Sequence, residues 1–323
     1  MKLQNEQMIK ISYILLFVGL FIGLLSCKEK KTIKAGQEMQ QFIIELSQFA
    51  RNQNPAFILI PQNGEEVLFQ NINSENELHS ELIQAIDGIG TEEIFYNGDS
   101  YQPDEYRLGM LRKAQTKIKV LVADNLGQDS EYNNALQVAA NENFIAFPRY
   151  TNNYDYKYIP STVFEENSNP INTLKEAKNY LYLISTDGFP DKSAFLSAIQ
   201  QTNFDVVIID AFYDDVLLTK SEVESLKTKA NGAKRLVISY MSIGSAEKYR
   251  YYWKKGWGLH HPLFLKRKYP GYEDEIFVKY WSKQWKAIIF GNTDSYTQKI
   301  LNCGFDGAYL DNIEAFYSLY HKD

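Results

Sequence analysis

Gly304-Phe305-Asp306-Gly307-Ala308-Tyr309-Leu310-Asp311-Asn312-Ile313-Glu314 is a short apolar strand that runs straight into carboxylates. The pattern recurs along the chain. Val206-Val207-Ile208-Ile209 ends at Asp210, and Val120-Leu121-Val122-Ala123 ends at Asp124. Leu236-Val237-Ile238-Ser239-Tyr240 leads through Ser242-Ile243-Gly244 to Glu247. Continuous Val/Ile/Leu runs are the pattern of buried parallel strands. Carboxylates at the C-terminal ends of several such strands occupy the place where a (β/α)8 barrel carries its active site. Acids gathered at one mouth point to acid/base chemistry on a neutral polar substrate, with glycoside hydrolysis the leading case.

Eight strand candidates follow one another: 57–61, 86–91, 118–123, 144–147, 180–185, 206–210, 236–240 and 308–311. Segments of helical period lie between them, at 75–85, 104–114, 131–140, 173–179, 192–201, 220–230 and 282–301. A further helix is expected at 38–50. The alternation predicts an α/β protein with a (β/α)8 TIM barrel; the runner-up is an open doubly wound sheet. No Pro/Gly/Ser-rich linker interrupts 37–323, which reads as one domain. Two connections are long. Residues 149–171 are rich in Tyr, Asn and Pro, and 248–280 carry Trp253, Trp257, His260 and His261. Loops of that length in a compact domain are usually functional or disordered. The 23 tyrosines suit a sugar-binding surface, because a phenol ring stacks on C–H faces while its hydroxyl hydrogen-bonds.

The first 27 residues read as an export signal. Lys2 and Lys10 precede an apolar run from Ile11 to Leu25, short for a stable span. The run ends Leu24-Leu25-Ser26-Cys27, which resembles the lipobox of bacterial lipoproteins; an uncleaved transmembrane anchor is the alternative. The resemblance implies a lipid on Cys27 and a place in the cell envelope, at the outer membrane or cell surface rather than the inner membrane. Residues 28–36 then read as a polar tether. Cys303 is left as the other cysteine, expected to be a small buried hydrophobe. A net charge of −6 without a basic block argues against nucleic acid. The four histidines show no HExxH spacing, and neither GxGxxG nor GxxxxGK[ST] occurs, so no metal or cofactor is implied. A monomer is expected.

Three segments carry a family resemblance. Leu236–Arg250 (LVISYMSIGSAEKYR), Val278–Lys286 (VKYWSKQWK) and Gly304–Ala315 (GFDGAYLDNIEA) resemble glycoside hydrolase family 114, in particular its branch related to endo-α-1,4-polygalactosaminidase. The resemblance implies a barrel that cleaves α-1,4-linked galactosamine or N-acetylgalactosamine polysaccharide. The order of elements departs from that family. Its aspartate strand falls in mid-barrel, whereas Asp311 lies 12 residues from the C-terminus here. The elements that should follow resemble the front of this chain: Phe57-Ile58-Leu59-Ile60-Pro61-Gln62-Asn63-Gly64 and Ile86-Asp87-Gly88-Ile89-Gly90-Thr91-Glu92-Glu93-Ile94-Phe95-Tyr96. A circular permutation is expected, with a truncated barrel behind an unrelated N-terminal domain as the alternative.

The resemblance carries an essential aspartate onto Asp311, expected to be the nucleophile, and a glutamate onto Glu92, expected to be the acid/base. Glu93 should point to the opposite face of an extended strand. The pKa of Glu92 should be raised and Asp311 should stay ionised. Asp210 is a candidate for a sugar hydroxyl or amino group, and Glu247 with Arg250 for a positioning pair. Asp124 could complete an acidic floor, and Tyr240, Tyr309 and Trp281 are candidates to line the pocket. The competing function is a non-catalytic glycan-binding surface lipoprotein on the same fold.

Overall fold

The computed structural model describes residues 28–321. The expected signal segment, 1–27, and Cys27 lie outside them. The chain opens on a long helix, α1, over 28–51. Residues 28–36 are therefore no tether: they form the first turns of α1, where Ala35 and Gly36 are buried and Tyr280 donates to the Ala35 carbonyl at 2.6 Å. The polar run Lys28-Glu29-Lys30-Lys31 misled because it is the exposed start of an amphipathic helix whose Met39, Phe42, Ile43 and Leu46 are fully buried.

After α1 come β1 (Ile58–Pro61), α2 (Ser80–Ala85), β2 (Gly88–Asn97), α3 (Glu105–Ala114), β3 (Lys119–Asn125), α4 (Tyr132–Asn141) and β4 (Ile145–Ala146). Next are β5 (Tyr180–Leu183), α5 (Lys192–Gln200), β6 (Val206–Asp210), a small hairpin β7 (Phe212–Tyr213) and β8 (Val216–Leu217), and α6 (Lys220–Ser225). The last third holds β9 (Leu236–Ser242), β10 (Ser245–Glu247), β11 (Leu265–Tyr269), β12 (Tyr272–Val278), α7 (Lys283–Ile289), α8 (Tyr296–Cys303), β13 (Gly307–Asp311) and α9 (Ala315–Ser318).

The expected strands all form, and they pair in parallel. One sheet has the order β1-β13-β9-β6-β5, another β2-β3-β4. A parallel bridge from Gln62 to Gly90 joins them, with Asp87 N donating to Leu59 O and Asn63 N to Gly90 O. Neighbours in space are thus neighbours in sequence, with the last strand beside the first. A doubly wound sheet would instead reverse its strand order at a switch point, so that alternative is discarded. The sheet is strongly curled. Tyr180 on β5 donates to Val122 O on β3 at 2.7 Å, and Tyr182 to Gln62 Oε1 at 2.9 Å. In a flat sheet β5 and β3 would stand six spacings, roughly 29 Å, apart. Among the described residues no ladder joins β4 to β5; across that seam Phe147 and Tyr180 pack ring to ring. The architecture is mixed α/β with curled parallel sheets, and pairing does not close the cylinder.

Two expectations about connections change. Residues 248–280 are not a plain loop, since β10, β12 and β11 form a three-stranded antiparallel sheet there. The 282–301 helix is split into α7 and α8, because Phe290 is extended and Gly291 has φ 98°. The stretch at 173–179 shrinks to one 3-10 turn, Leu174–Glu176.

Candidate active site

The site lies where β13, β9, β1 and β2 end. Asp311 closes β13, and its Oδ2 accepts from Tyr240 Oη on β9 at 2.5 Å. Its Oδ1 accepts from Asn312 N at 2.7 Å. Burial, then the charge of Glu92, pushes the Asp311 carboxyl up to about 7, although the Tyr240 and Asn312 donors pull the other way. The upward shift thus falls on Asp311, where an ionised group was expected.

Glu92 sits on β2, and the end of β1 holds it. Asn63 Nδ2 donates to Glu92 Oε2 at 3.1 Å, and Asn63 Oδ1 accepts from Glu92 N at 3.0 Å. Tyr156, from the 149–171 connection, donates to Glu92 Oε1. Arg149 Nη2 stands 3.8 Å from the same oxygen and 3.5 Å from Glu93 Oε1. Glu93 is no decoy on the far face. Its φ of 59° breaks the strand alternation, and both glutamates line one cavity. Burial raises the Glu93 carboxyl too, ahead of a lowering by Arg149 and a raising by Glu92.

That cavity, about 450 Å³, brings together Asp311, Glu92, Asp210, Tyr240 and Arg250 among the expected residues. Arg250 Nη1 pairs with Asp210 Oδ2 at 2.7 Å, and its Nε with Glu247 Oε2 at 2.7 Å. Glu247 is buried behind Arg250 and does not line the cavity. It orients the guanidinium and is no direct substrate ligand. Three expectations are corrected. Asp124 is buried and turned away from the cavity, its Oδ1 accepting from Ile94 N at 2.7 Å and Phe95 N at 3.1 Å. It fixes the backbone just after the Glu93 kink. Tyr309 is wholly buried beneath the site, against Tyr182 and so close to β2 that a Cβ on Gly90 would stand 1.9 Å from its Oη. Trp281 packs on Tyr280 and does not line the cavity.

Several lining residues escaped the sequence reading. Glu275 on β12 and Glu314 after β13 both line the cavity. Burial first, then the charge of Glu247, pushes Glu275 up to about 7; burial, then Asp311, pushes Glu314 up to about 8. Glu314 Oε2 is buried with no hydrogen-bond partner among the described residues. Glu314 stood in the opening motif, and the chain turn after Asp311 could have flagged it. Glu275 carried no such signal, since it sits inside a run of exposed charge, Glu273-Asp274-Glu275. Arg107 was also missed. It pairs with buried Glu65 at 2.7 Å and donates to Glu92 O at 2.9 Å and Asn63 Oδ1 at 3.2 Å, clamping the ends of β1 and β2.

Comparison with known proteins gives matches over parts of the chain. It is 35% identical over 151 residues to an uncharacterized protein of Methanocaldococcus jannaschii, covering 46% of this chain and 40% of that protein. It is 35% identical over 118 residues to an uncharacterized protein of Thermotoga maritima, and 36% identical over 121 residues to one of Deinococcus radiodurans. These matches cover 36% and 38% of this chain, and the chain spans only 35% and 37% of those two relatives' length. Residues 167–323, which hold Asp210, Arg250, Glu275, Asp311 and Glu314, match the model of glycoside-hydrolase family GH114. That match covers just under half of the chain, and over it the sequence is similar to glycoside-hydrolase family GH114.

Proposed function

We propose that the cavity hydrolyses a glycosidic bond with Asp311 as nucleophile and Glu92 as general acid/base, on a (β/α)8 barrel whose sequence is circularly permuted. The observation that carries this reading is the meeting of two carboxylates in one cavity, from strand ends two positions apart, each raised or held by its surroundings. In the first step Asp311 bonds to the anomeric carbon, the glycosidic bond breaks, and the Glu92 proton passes to the leaving oxygen. In the second, water attacks that carbon, Glu92 takes its proton, and Asp311 departs. Asp311 must be anionic for this, yet the free cavity holds it up to about 7. A cationic amino sugar arriving beside it restores the ionised form, which favours α-1,4-linked galactosamine polymers in which at least some amino groups are free. The same chain is proposed to be exported and lipid-anchored through Cys27; loss of palmitate labelling in Cys27→Ala tests that anchor.

The hydrolase reading is tested by reducing-sugar release from galactosamine-containing polysaccharide, using protein from residue 28 onward. Asp311→Asn and Glu92→Gln should each lose about 10³-fold or more in kcat/KM while staying folded. No release by the unsubstituted protein, with glycan binding retained, would leave a non-catalytic glycan-binding protein in its place.

A further inference from the structure

Behind Asp311 a set of buried hydrogen bonds reaches across to Glu275. Asn312 Nδ2 donates to Ser242 Oγ at 2.9 Å and to Ser245 Oγ at 3.1 Å. The two hydroxyls lie 2.9 Å apart, and Ser245 Oγ donates to Glu275 Oε2 at 2.6 Å. A serine has one hydroxyl proton, and that of Ser245 goes to the carboxylate, while that of Ser242 has two acceptors in reach, Ser245 Oγ and the Ser245 carbonyl at 3.2 Å. The Asn312 and Ser245 donors link the back of the site to Glu275, and linked bonds of this kind polarise one another. Asn312, Ser242 and Ser245 are buried, so one oxygen of Glu275 is locked to the protein interior.

Its other oxygen is differently placed. Among the described residues no hydrogen bond reaches Glu275 Oε1 and no lysine or arginine forms an ion pair with this carboxylate, although the residue is part-exposed and lines the cavity beside Asp311. Both guanidinium groups of the cavity are engaged, Arg250 by Asp210 and Glu247, Arg149 near Glu92 and Glu93. Seven carboxylates line the cavity against these two cations. The charged groups that act on Glu275 are Glu247 and Asp311, which disfavour its anion, and the more distant Arg250, which favours it. Tyr269 and Tyr272 face the same space. Glu314 brings a buried oxygen, without a hydrogen-bond partner among the described residues, to the same cavity. A cavity of this make-up lacks one thing, a mobile cation.

We propose that Glu275 is a specificity-determining residue of the Asp311–Glu92 site, taking the ammonium group of a deacetylated amino sugar in preference to the neutral N-acetylated one. The inference rests on the carbohydrate reading of the cavity given above. The ammonium bonds to Oε1, while the donor chain from Asn312 holds Oε2 and fixes the carboxylate plane. An acetamido group brings no charge to offset the acids, and it adds bulk on the same wall.

The test uses isothermal titration of α-1,4-galactosamine tetrasaccharide and its N-acetylated counterpart into Asp311→Asn protein, with and without Glu275→Gln. The single variant should prefer the deacetylated sugar by about tenfold or more, as a charge-assisted hydrogen bond supplies, and the double variant by less than about threefold. Near pH 7 the single variant should also release protons on binding, measured in buffers of different ionisation heat, and the double variant should release fewer. Glu275→Asp, which keeps the charge, should retain part of the preference and guards against a folding defect in the glutamine variant. A preference that survives Glu275→Gln, or failure of the single variant to bind the deacetylated sugar, overturns the proposal. Sugar release by the unsubstituted protein is scored separately. Glu275-dependent preference without release removes the hydrolase and keeps this inference; release with a preference that Glu275→Gln leaves in place does the reverse.

Discussion

At Asp311 stability and chemistry pull apart. Burial and the nearby charge of Glu92 make its ionised form unfavourable in the folded protein. The folded carboxyl titrates near 7, against about 4 for an exposed aspartate. The folded state therefore binds a proton more tightly than the unfolded chain, and stability falls as pH rises from about 4 to about 7, then stays level. Glu275 and Glu314 are shifted the same way and add to the slope. Asp311→Asn keeps an acceptor for the Asn312 N–H and removes the charge. With a discounted penalty of about 1–2 kcal/mol, its Tm should exceed that of the unsubstituted protein by roughly 3–6 °C at pH 8. The gain should vanish near pH 4.5. Calorimetry at the two pH values checks this, and an equal gain at both would place its origin in packing instead of charge. As the proposed nucleophile, the same carboxyl should set the acid limb of activity. Tyr240 donates to Asp311 Oδ2 and so favours the anion; Tyr240→Phe should move the acid limb of kcat/KM to higher pH, the direction that pH–rate profiles would report.

At the scale of elements, what could be read from the sequence was whatever repeats. The Val/Ile runs gave all eight strands, because a strand buried on both faces leaves no room for polar residues. Asp210 and Asp311 were placed by the same logic, as the first charge after such a run. Local backbone exceptions left no such trace. Nothing in Thr91-Glu92-Glu93-Ile94 announces that Glu93 takes φ 59°, and the alternation rule sent its carboxylate to the wrong face. The β11–β12 hairpin was hidden because its outer strand is charged and half-exposed, although Tyr269-Pro270-Gly271-Tyr272, with Gly271 at φ 82°, is a turn signal that could have been used. Asp124 shows how a correct strand end yields a wrong role, since its carboxylate is spent on the β2 backbone. Asp124→Ala would leave two buried N–H groups without that acceptor and should lower the urea-unfolding free energy by about 2–4 kcal/mol. It should also lower activity, since the kink it holds presents Glu92 and Glu93. Asp124→Asn, which retains an oxygen, should cost clearly less; equal losses in both would tie the effect to charge, not to the acceptor.

Across the whole molecule, the parallel strands follow one another in sequence order from β5 round to β4 with β13 beside β1, and such an order does not record where its chain was opened. The pairing of β1 with β13 is required by a permuted barrel, but any closed barrel also sets its first strand beside its last. What bears on permutation is the placing of the ends. Thr32 Oγ1, one turn into α1, lies 2.9 Å from His321 Nε2, so the two ends of the described chain touch. Helix α1 is built into both halves of the molecule: Gln40 donates to the carbonyls of Val67 and Phe69, and Glu45 pairs with Lys286 at 2.7 Å. At the other side, β4 and β5 share no ladder, and the connection between them is exposed at Ser161 and Thr162. A chain opened between those two residues, with His321 joined to Lys28 by about six Gly/Ser residues spanning roughly 13 Å, severs no strand pairing and sets the Asp311 strand in mid-chain. Domains with adjacent termini tolerate such rearrangement. The rearranged protein should be soluble, melt within about 5 °C of the original, a difference of no more than about 1–2 kcal/mol, and retain whatever glycan binding or hydrolysis the original has. Insolubility, or a folded product without the Asp311–Glu92 activity, would mean that the present order of the chain is itself part of how the site is assembled.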